Sequence, residues 1–208
     1  MLAGVALLLL FAPVRHGVAR AWSAAVAVMR AQQAERVREV RVAEYARRYG
    51  IPVATADAVE RAARAEGLDV ELAFRLVRVE SGFRPGAVSQ AGALGMTQLM
   101  PVTARDLQPG VTREQLLERD TNLRLGFRYM RRLLRFYGGD TETALHAYNR
   151  GIGTVARIRA AGGDPANGYA TKVLGQQGAS AVGRDTAAVV PADPHPHEMG
   201  PAVVPATP

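Results

Sequence analysis

The chain has 208 residues, 48% of them hydrophobic and only 6% aromatic, so it has room for one domain with extensions and a core of Ala, Val and Leu. An excess of 26 Lys and Arg residues over 19 Asp and Glu residues gives a formal charge of +7, which favours an anionic partner. Because no cysteine is present, disulfides, thiolate metal sites and cysteine nucleophiles are excluded.

The chain opens with an apolar run, MLAGVALLLLFAP. The run is shorter than the ~20 residues that span a membrane, and it resembles the hydrophobic part of a secretory signal. Ala19 and Ala21 supply a small-residue cleavage pattern, whereas the absence of a basic residue before the run counts against a signal. We expect residues 1–21 to be a signal peptide or an N-terminal anchor that places the protein in the periplasm or cell envelope. A cytoplasmic protein with an apolar N-terminal helix is the alternative.

Three further regions follow from composition. Residues 22–48 lack Gly and Pro and predict a helix that ends at Gly50, within a helical extension over residues 22–54. Over residues 55–174, helical periods alternate with short Gly- or Pro-containing breaks, which predicts an all-α domain. From residue 175 to residue 208 the chain is rich in Gly, Ala, Pro, Thr and Val, which predicts a disordered tail.

The segment VELAFRLVRVES predicts a helix that begins after Asp69 and ends at Gly82. On a helical wheel, Glu80 falls among the apolar positions 72, 73, 76 and 77, opposite the arginines. Burial and the negative end of the helix both raise the pKa of such a carboxyl, and a general acid needs this near neutral pH. A buried structural glutamate paired with an arginine fits the same pattern, so the residues alone leave both readings open.

Gly92 and Gly95 flank a predicted turn, after which GMTQLMPVTA predicts a new helical segment. This segment carries Gln98 and Met100. The Gln98 amide suits the acetamido and hydroxyl groups of a sugar, and Met100 is either an adaptable apolar surface or a core filler.

Two helices are predicted further along the chain. Residues 120–139 place apolar side chains at spacings of three and four, with arginines on the other faces as a solvated or wall-binding surface. Asp140 is the predicted N-cap of TETALHAYNR. On their own, Tyr148 and Asn149 of this helix are a core tyrosine and a capping asparagine.

The side-chain patterns support neither metal nor nucleic-acid binding. The four histidines show no carboxylate arrangement that suggests metal ligation, so we expect no metal and no cofactor. No zinc-finger spacing or aromatic ribonucleoprotein pair is present, and we expect no nucleic-acid partner.

Five segments together resemble the soluble lytic transglycosylase family. They are EGLDVELAFRLVRVESGFRPGAVS, QAGALGMTQLMPVTA, DTNLRLGFRYMRRLL, ETALHAYNRGIGTV and, weakly, GYATKVL, in the family's order. The combination of ES, G-x-x-Q-x-M-P and AYN is far more specific than any one piece. The resemblance implies a lysozyme-like, goose-type/transglycosylase helical domain over residues 55–174, with an N-terminal helix before it and the disordered tail after it.

The same resemblance implies the reaction: cleavage of the β-1,4 bond between N-acetylmuramic acid and N-acetylglucosamine in peptidoglycan. The C6 hydroxyl of the muramic acid attacks C1, so a 1,6-anhydro product forms without water and Glu80 serves alone as acid and then base. Tyr148 would hydrogen-bond and orient Glu80, and Ser81 would support it. The implied substrate-binding residues are Ser89, Gly95, Gln98, Met100, Asn149 and Tyr169. Gly95 would allow close approach to the saccharide, and Thr97, where a methionine is frequent, would alter packing only.

The expected partner is the peptidoglycan glycan strand. Membrane association through the N-terminal apolar segment and work with an envelope-spanning secretion or conjugation machine are further possibilities. Two alternatives stay open at this point: a muramidase that uses water, and an inactive wall-binding module of such a machine.

Overall fold

The computed structural model describes the backbone of residues 3–175 and the side chains of residue 22 and residues 24–175. Its contacts divide the chain into two units between Val53 and Ala54. The predicted disordered tail lies outside the described residues except for Gly175, so its disorder stays a prediction.

The first unit contains one long helix, α1, over Ala3–Tyr49. The helix predicted over residues 22–48 is therefore confirmed, and Gly50 follows its end. Apolar side chains on α1 face solvent, Trp22 among them at 74% exposure. In the part of the chain that the structure describes, no helix has the length and apolar character needed to cross a membrane. The signal or anchor function of residues 1–21 stays a prediction.

The second unit is helical. Its helices are α2 (Val53–Ala65), α3 (Val70–Ser81), α4 (Pro101–Leu107), α5 (Arg113–Leu117), α6 (Arg119–Phe136), α7 (Thr141–Arg150), α8 (Ile152–Ala160) and α9 (Tyr169–Leu174). Isolated antiparallel bridges at Val88–Leu94 and Leu94–Leu99 are the extended pairings among residues 3–175. The predicted all-α class is confirmed.

Side-chain caps fix where helices α3 and α7 begin. The Asp69 side chain accepts a hydrogen bond from the Leu72 N–H at 2.8 Å, and Gly82 ends α3 in the left-handed conformation, as the sequence predicts. The Asp140 side chain likewise accepts from the Thr143 N–H at 3.0 Å and starts α7. These caps determine where each helix begins, and so which residues occupy its last turn.

Helix α6 supplies the centre of the core. Its fully buried apolar side chains are Leu123, Leu125, Phe127, Met130 and Leu133. The helix predicted over residues 120–139 spans Arg119–Phe136, with Tyr137 as its C-cap, and the chain turns at Gly138 and Gly139 as the glycine pair predicts. On its outer face Arg124 donates to Gln108 at 2.6 Å and Arg128 to Glu66 at 2.8 Å, so part of the arginine surface is paired within the unit.

The segment GMTQLMPVTA is not one helix, which corrects the sequence prediction. Helix α4 begins at Pro101, and Met100 is its extended N-cap residue. Proline disfavours helical geometry in the residue before it and suits the first helical position, so the helix starts there. Gln98 lies before α4 in a tight turn over residues 94–99, where Leu94 and Leu99 exchange backbone hydrogen bonds of 3.0 Å.

The side chain of Asn122 on α6 holds this turn in place. Its Nδ2 donates to the carbonyls of Leu94 at 2.8 Å and Leu116 at 2.9 Å. Its Oδ1 accepts from the Thr97 N–H at 2.8 Å and from the Thr97 hydroxyl at 2.9 Å. The amide is fully buried, at 0% exposure, and both its donors and its acceptor are used.

Two glycines allow this close approach. A Cβ on Gly95, whose φ is +73°, would lie 2.3 Å from Asn122 Nδ2, and a Cβ on Gly126 of α6 would lie 2.2 Å from the Thr97 hydroxyl. The expectation that Thr97 alters packing only is therefore wrong, because its hydroxyl and its N–H both donate to Asn122 Oδ1.

We expect Gly95→Ala to destabilise the protein by about 1–3 kcal/mol more than Gly92→Ala. Both glycines have positive φ, which costs an L-residue ~1–2 kcal/mol, but a Cβ at Gly92 meets nothing within 4 Å. Urea unfolding of the two variants measures the difference. Equal losses of unfolding free energy would contradict the close packing of Gly95 on Asn122.

We expect Asn122→Leu to lower the free energy of unfolding by at least about 2 kcal/mol, because it leaves the buried Thr97 N–H without its acceptor. The matched variant Thr97→Val keeps that N–H bonded and loses only the hydroxyl, so it should cost about 1 kcal/mol. Chemical denaturation of both variants checks the order; a costlier Thr97→Val would refute the central position given to the Asn122 amide.

Candidate active site

Glu80 lies in the last turn of α3, on the apolar side of the helix. Ala73, Leu76 and Val77 are fully buried beside it, whereas Arg78 is exposed, so the helical wheel placed Glu80 correctly. The Oε2 atom of Glu80 is buried and has no hydrogen-bond partner among the described residues. The residue as a whole is partly exposed.

The hydroxyl that donates to Glu80 Oε1 belongs to Tyr169 of α9. The family resemblance implied that Tyr148 makes this hydrogen bond, which is wrong: the Tyr148 hydroxyl donates to the Thr97 carbonyl at 2.8 Å. Tyr148 nevertheless lies close enough for the charge of Glu80 to raise its pKa. The physical reason for the change is the docking of α9 against α3, which the weak sequence match of GYATKVL could not reveal.

Burial dominates the electrostatics of the site. It raises the pKa of Glu80 to about 7, an effect that the Tyr169 hydrogen bond partly opposes by stabilising the carboxylate. Burial also raises the pKa of Tyr148 and Tyr169 well above the usual range, and the charge of Glu80 adds to both shifts. Near neutral pH the two tyrosines are therefore neutral donors, while Glu80 is partly protonated and partly ionised.

Ser81 and Tyr148 bind consecutive carbonyls of the turn at residues 94–99. The Ser81 hydroxyl donates to the Met96 carbonyl at 2.7 Å, next to the Thr97 carbonyl that Tyr148 binds. The Ser81 hydroxyl therefore joins the end of α3 to the turn rather than binding the Glu80 carboxyl. The turn is thus held from α3, α6 and α7 at once.

The predicted sugar-binding residues near the turn make backbone contacts. Gln98, whose φ is +47°, donates through Nε2 to the carbonyls of Gly95 at 2.9 Å and Ala87 at 3.2 Å, and the two acceptors fix the orientation of its amide. Ser89 Oγ accepts from the Ala93 N–H at 2.9 Å. The amide oxygen of Gln98 and the hydroxyl proton of Ser89 take no part in these hydrogen bonds.

Gly95 and Met100 occupy the two ends of the same segment. The absent Cβ of Gly95 faces Asn122 and the Leu116 carbonyl, so packing within the protein explains the glycine. Its contact with a saccharide stays a prediction. Met100 is partly exposed at the start of α4.

Asn149, at the end of α7, is joined to the start of α9. Its Oδ1 accepts from Asn167 Nδ2 at 2.8 Å, and Asn167 Oδ1 accepts from the Tyr169 N–H at 3.2 Å. The predicted helix cap is absent, since Gly151 caps α7. Asn149 thus lies two hydrogen bonds from the tyrosine that binds Glu80.

Asn122 and Asn167 are the site-shaping residues that the sequence reasoning missed. Asn122 had a detectable signal, because it recurs at helical spacing with Leu125, Gly126 and Tyr129 on the buried face of α6, where an amide needs partners. Asn167 lies in an irregular segment and had none. Within the described part of the chain, no group of three or more His, Asp and Glu residues is placed to hold a metal ion.

A family model, the Transglycosylase SLT domain, matches residues 57–168. A soluble lytic murein transglycosylase of Salmonella typhimurium is 32% identical over 114 residues, which cover 50% of this chain and 17% of that relative. A membrane-bound lytic murein transglycosylase C of Edwardsiella ictaluri is 34% identical over 116 residues, covering 49% of this chain and 32% of the relative. The chain thus spans less than a third of the length of these curated relatives.

Solved structures agree on the fold. An inactive mutant of the lytic transglycosylase Slt from Pseudomonas aeruginosa matches with a TM-score of 0.51 and 30% identity, covering 59% of this chain and 23% of that one. The 70-kDa soluble lytic transglycosylase in complex with bulgecin A matches with a TM-score of 0.53 and 28% identity, covering 62% and 24%. The predicted lysozyme-like transglycosylase fold is confirmed, and the chain belongs to the Transglycosylase SLT domain family.

Proposed function

We propose that this protein is a peptidoglycan lytic transglycosylase that cleaves the β-1,4 bond between N-acetylmuramic acid and N-acetylglucosamine. The reaction leaves 1,6-anhydro-N-acetylmuramic acid ends and consumes no water. The observation that carries the proposal is Glu80: its Oε2 is buried without a partner, and its pKa is raised to about 7. A carboxyl in this state can give up a proton and take one back near neutral pH.

The first chemical step assigns different tasks to the two carboxyl oxygens. Oε1 accepts the Tyr169 hydrogen bond, so the acid proton resides on Oε2. Oε2 donates this proton to the glycosidic oxygen as the bond from C1 to that oxygen breaks, and N-acetylglucosamine leaves as the alcohol. The carboxylate that forms keeps the Tyr169 hydrogen bond, which stabilises its charge.

The second step uses the same residue as a base. The Glu80 carboxylate takes the proton of the muramic acid C6 hydroxyl while the C6 oxygen bonds to C1, which closes the 1,6-anhydro ring. The proton lost in the first step is thereby restored, and the enzyme returns to its starting state.

A single carboxylate suffices for these two chemical steps. Burial raises the pKa of Glu80 and the Tyr169 hydrogen bond lowers it, and no carboxylate of a described residue is among the causes of the shift. Retaining and inverting hydrolases place a second carboxylate within about 5–9.5 Å of the first, as nucleophile or water activator. Here the substrate supplies the nucleophile, and its acetamido group is suited to stabilising the oxocarbenium-like state.

The relatives support the substrate class, since the names of both include murein transglycosylase. We propose the peptidoglycan glycan strand as substrate and a location in the cell envelope. Ser89, Gln98, Met100 and Asn149 are proposed to line the sugar subsites. Membrane association through the N-terminal apolar segment and work with a secretion or conjugation machine remain further proposals.

We expect Glu80→Gln to lower the rate of peptidoglycan cleavage by at least about 10²-fold, because an amide can neither donate nor accept the transferred proton. The matched control is Asp106→Asn, which neutralises the next acidic residue along the chain, an exposed one. It should cleave at the parent rate. Turbidity of purified sacculi and mass analysis of the released muropeptides give the rate and the product.

The product separates the proposal from its alternatives. Products with reducing ends and no 1,6-anhydro sugar would show a muramidase that uses water. Equal clearing by the parent protein and the Glu80→Gln variant would remove Glu80 as the acid, and binding of sacculi without any cleavage by the parent would indicate a wall-binding module.

The pKa of Glu80 also predicts how stability depends on pH. An unfolded glutamate titrates near pH 4.3, so between about pH 4.3 and 7 the folded state holds a proton that the unfolded state releases. The free energy of unfolding of the parent should fall relative to that of Glu80→Gln across this window and then stay level. Denaturation curves at pH 4 to 9 test this; a constant difference between the two proteins would contradict the raised pKa.

A further inference from the structure

The segment between α8 and α9 is tied to the body of the second unit. Arg150 of α7 donates to the Pro165 carbonyl at 3.0 Å, and Asn167 donates to Asn149 Oδ1 at 2.8 Å. At the far end of α9, Arg75 of α3 donates to the Leu174 carbonyl at 2.6 Å. Helix α9 is therefore anchored near both ends, on the two helices that contribute Glu80 and Asn149.

Asn167 stands out because it makes two contacts of different kinds. Its Nδ2 reaches across to α7, while its Oδ1 accepts from the N–H of Tyr169, the first residue of α9. The residue between them, Gly168, is left-handed and offers no side chain to cap the helix. One amide thus connects the end of α7 to the backbone that carries the Tyr169 hydroxyl.

We propose that Asn167 is a positioning residue: by joining Asn149 to the Tyr169 N–H, it fixes the Tyr169 hydroxyl on Glu80. This inference rests on the proposed function for the role of Glu80 in catalysis. Asn167 does not touch Glu80 and acts through Tyr169.

The geometry makes Tyr169 sensitive to where α9 begins. The helix has six residues, less than two full turns, and Tyr169 lies at its first position. A shift at this end moves the phenol relative to α3, and a hydrogen bond weakens steeply as its distance and angle leave the preferred range.

The groups that face Glu80 determine the direction of the effect. Among the described residues, Tyr169 from α9 and Tyr148 from α7 have a pKa that responds to its charge, and the Tyr148 hydroxyl donates to the Thr97 carbonyl. Tyr169 is the group whose hydrogen bond lowers the pKa of Glu80. A loosened Tyr169 hydroxyl therefore raises that pKa further. The protonated carboxyl becomes a weaker acid, and its carboxylate becomes a stronger base.

The experiment measures the Glu80 pKa directly, by ¹³C NMR of the glutamate side-chain carboxyls over a pH titration, with Glu80→Gln to assign the signal. In Asn167→Ala we expect the pKa to rise, in the same direction as in Tyr169→Phe and no further. The value of kcat should fall roughly two- to tenfold, the range of one ordinary hydrogen bond. The alkaline limb of its pH profile, where Glu80 loses the proton that it must donate, should move upward with the pKa.

Asp164→Ala is the matched control. Asp164 lies in the same segment and accepts from the Ala166 N–H at 2.9 Å, so this variant also loses one contact between a side chain and the backbone, but none to α7 or α9. We expect it to keep the parent pKa of Glu80 and the parent kcat.

A double-mutant cycle separates action through Tyr169 from a general loss of structure. If Asn167 acts through Tyr169, Asn167→Ala should change neither the Glu80 pKa nor kcat further when Tyr169 is already Phe. An unchanged Glu80 pKa in Asn167→Ala, or an additive loss of kcat in the double variant, would overturn the proposal. The NMR titration needs no substrate, so it still tests Asn167 if the proposed reaction proves wrong.

Discussion

The geometry of the site depends on one buried amide, the side chain of Asn122. Its four hydrogen bonds reach the Leu94 and Leu116 carbonyls and both polar groups of Thr97, so no part of the amide lacks a partner in the interior. A buried polar group whose hydrogen bonds are all satisfied specifies one arrangement. Each alternative would leave a buried donor or acceptor without a hydrogen-bond partner. The turn at residues 94–99 therefore has a fixed position relative to α6.

The other contacts of the site build on that fixed turn. Ser81, the neighbour of Glu80, binds the Met96 carbonyl, and Tyr148 binds the Thr97 carbonyl. Through these bonds the last turn of α3 and the body of α7 take their places against the same short piece of backbone. Tyr169 then reaches Glu80 from α9. The acid is thus positioned by a chain of contacts in which most members never touch it.

The same arrangement explains why the acid is costly for the fold. A carboxyl whose pKa is raised to about 7 sits where its charge is disfavoured, and ionisation near neutral pH opposes folding. The Tyr169 hydrogen bond offsets part of this cost by stabilising the carboxylate. The pKa of Glu80 stays raised, because the donor is a neutral hydroxyl rather than a cation. Sites that hold reactive groups commonly give up stability in this way.

Much of this architecture was accessible from the sequence because it rests on local rules. Asp69 and Gly82 bound α3 through capping, and helical periodicity turned Glu80 toward the apolar side. The order of the ES, G-x-x-Q-x-M-P and AYN segments, as a resemblance, predicted the family and the fold. The extent of α6 was also predictable, apart from its last turn.

Contacts between distant segments were decided only by the tertiary structure. The partner of Glu80 is Tyr169, 89 positions away, rather than Tyr148, because α9 docks beside α3 and because the Thr97 carbonyl already engages the Tyr148 hydroxyl. The sequence by itself determined where α3 begins and ends and which way Glu80 faces, since neighbours along the chain control both. Which hydroxyl meets that carboxyl depends on the packing of helices far apart in sequence, which no local pattern records.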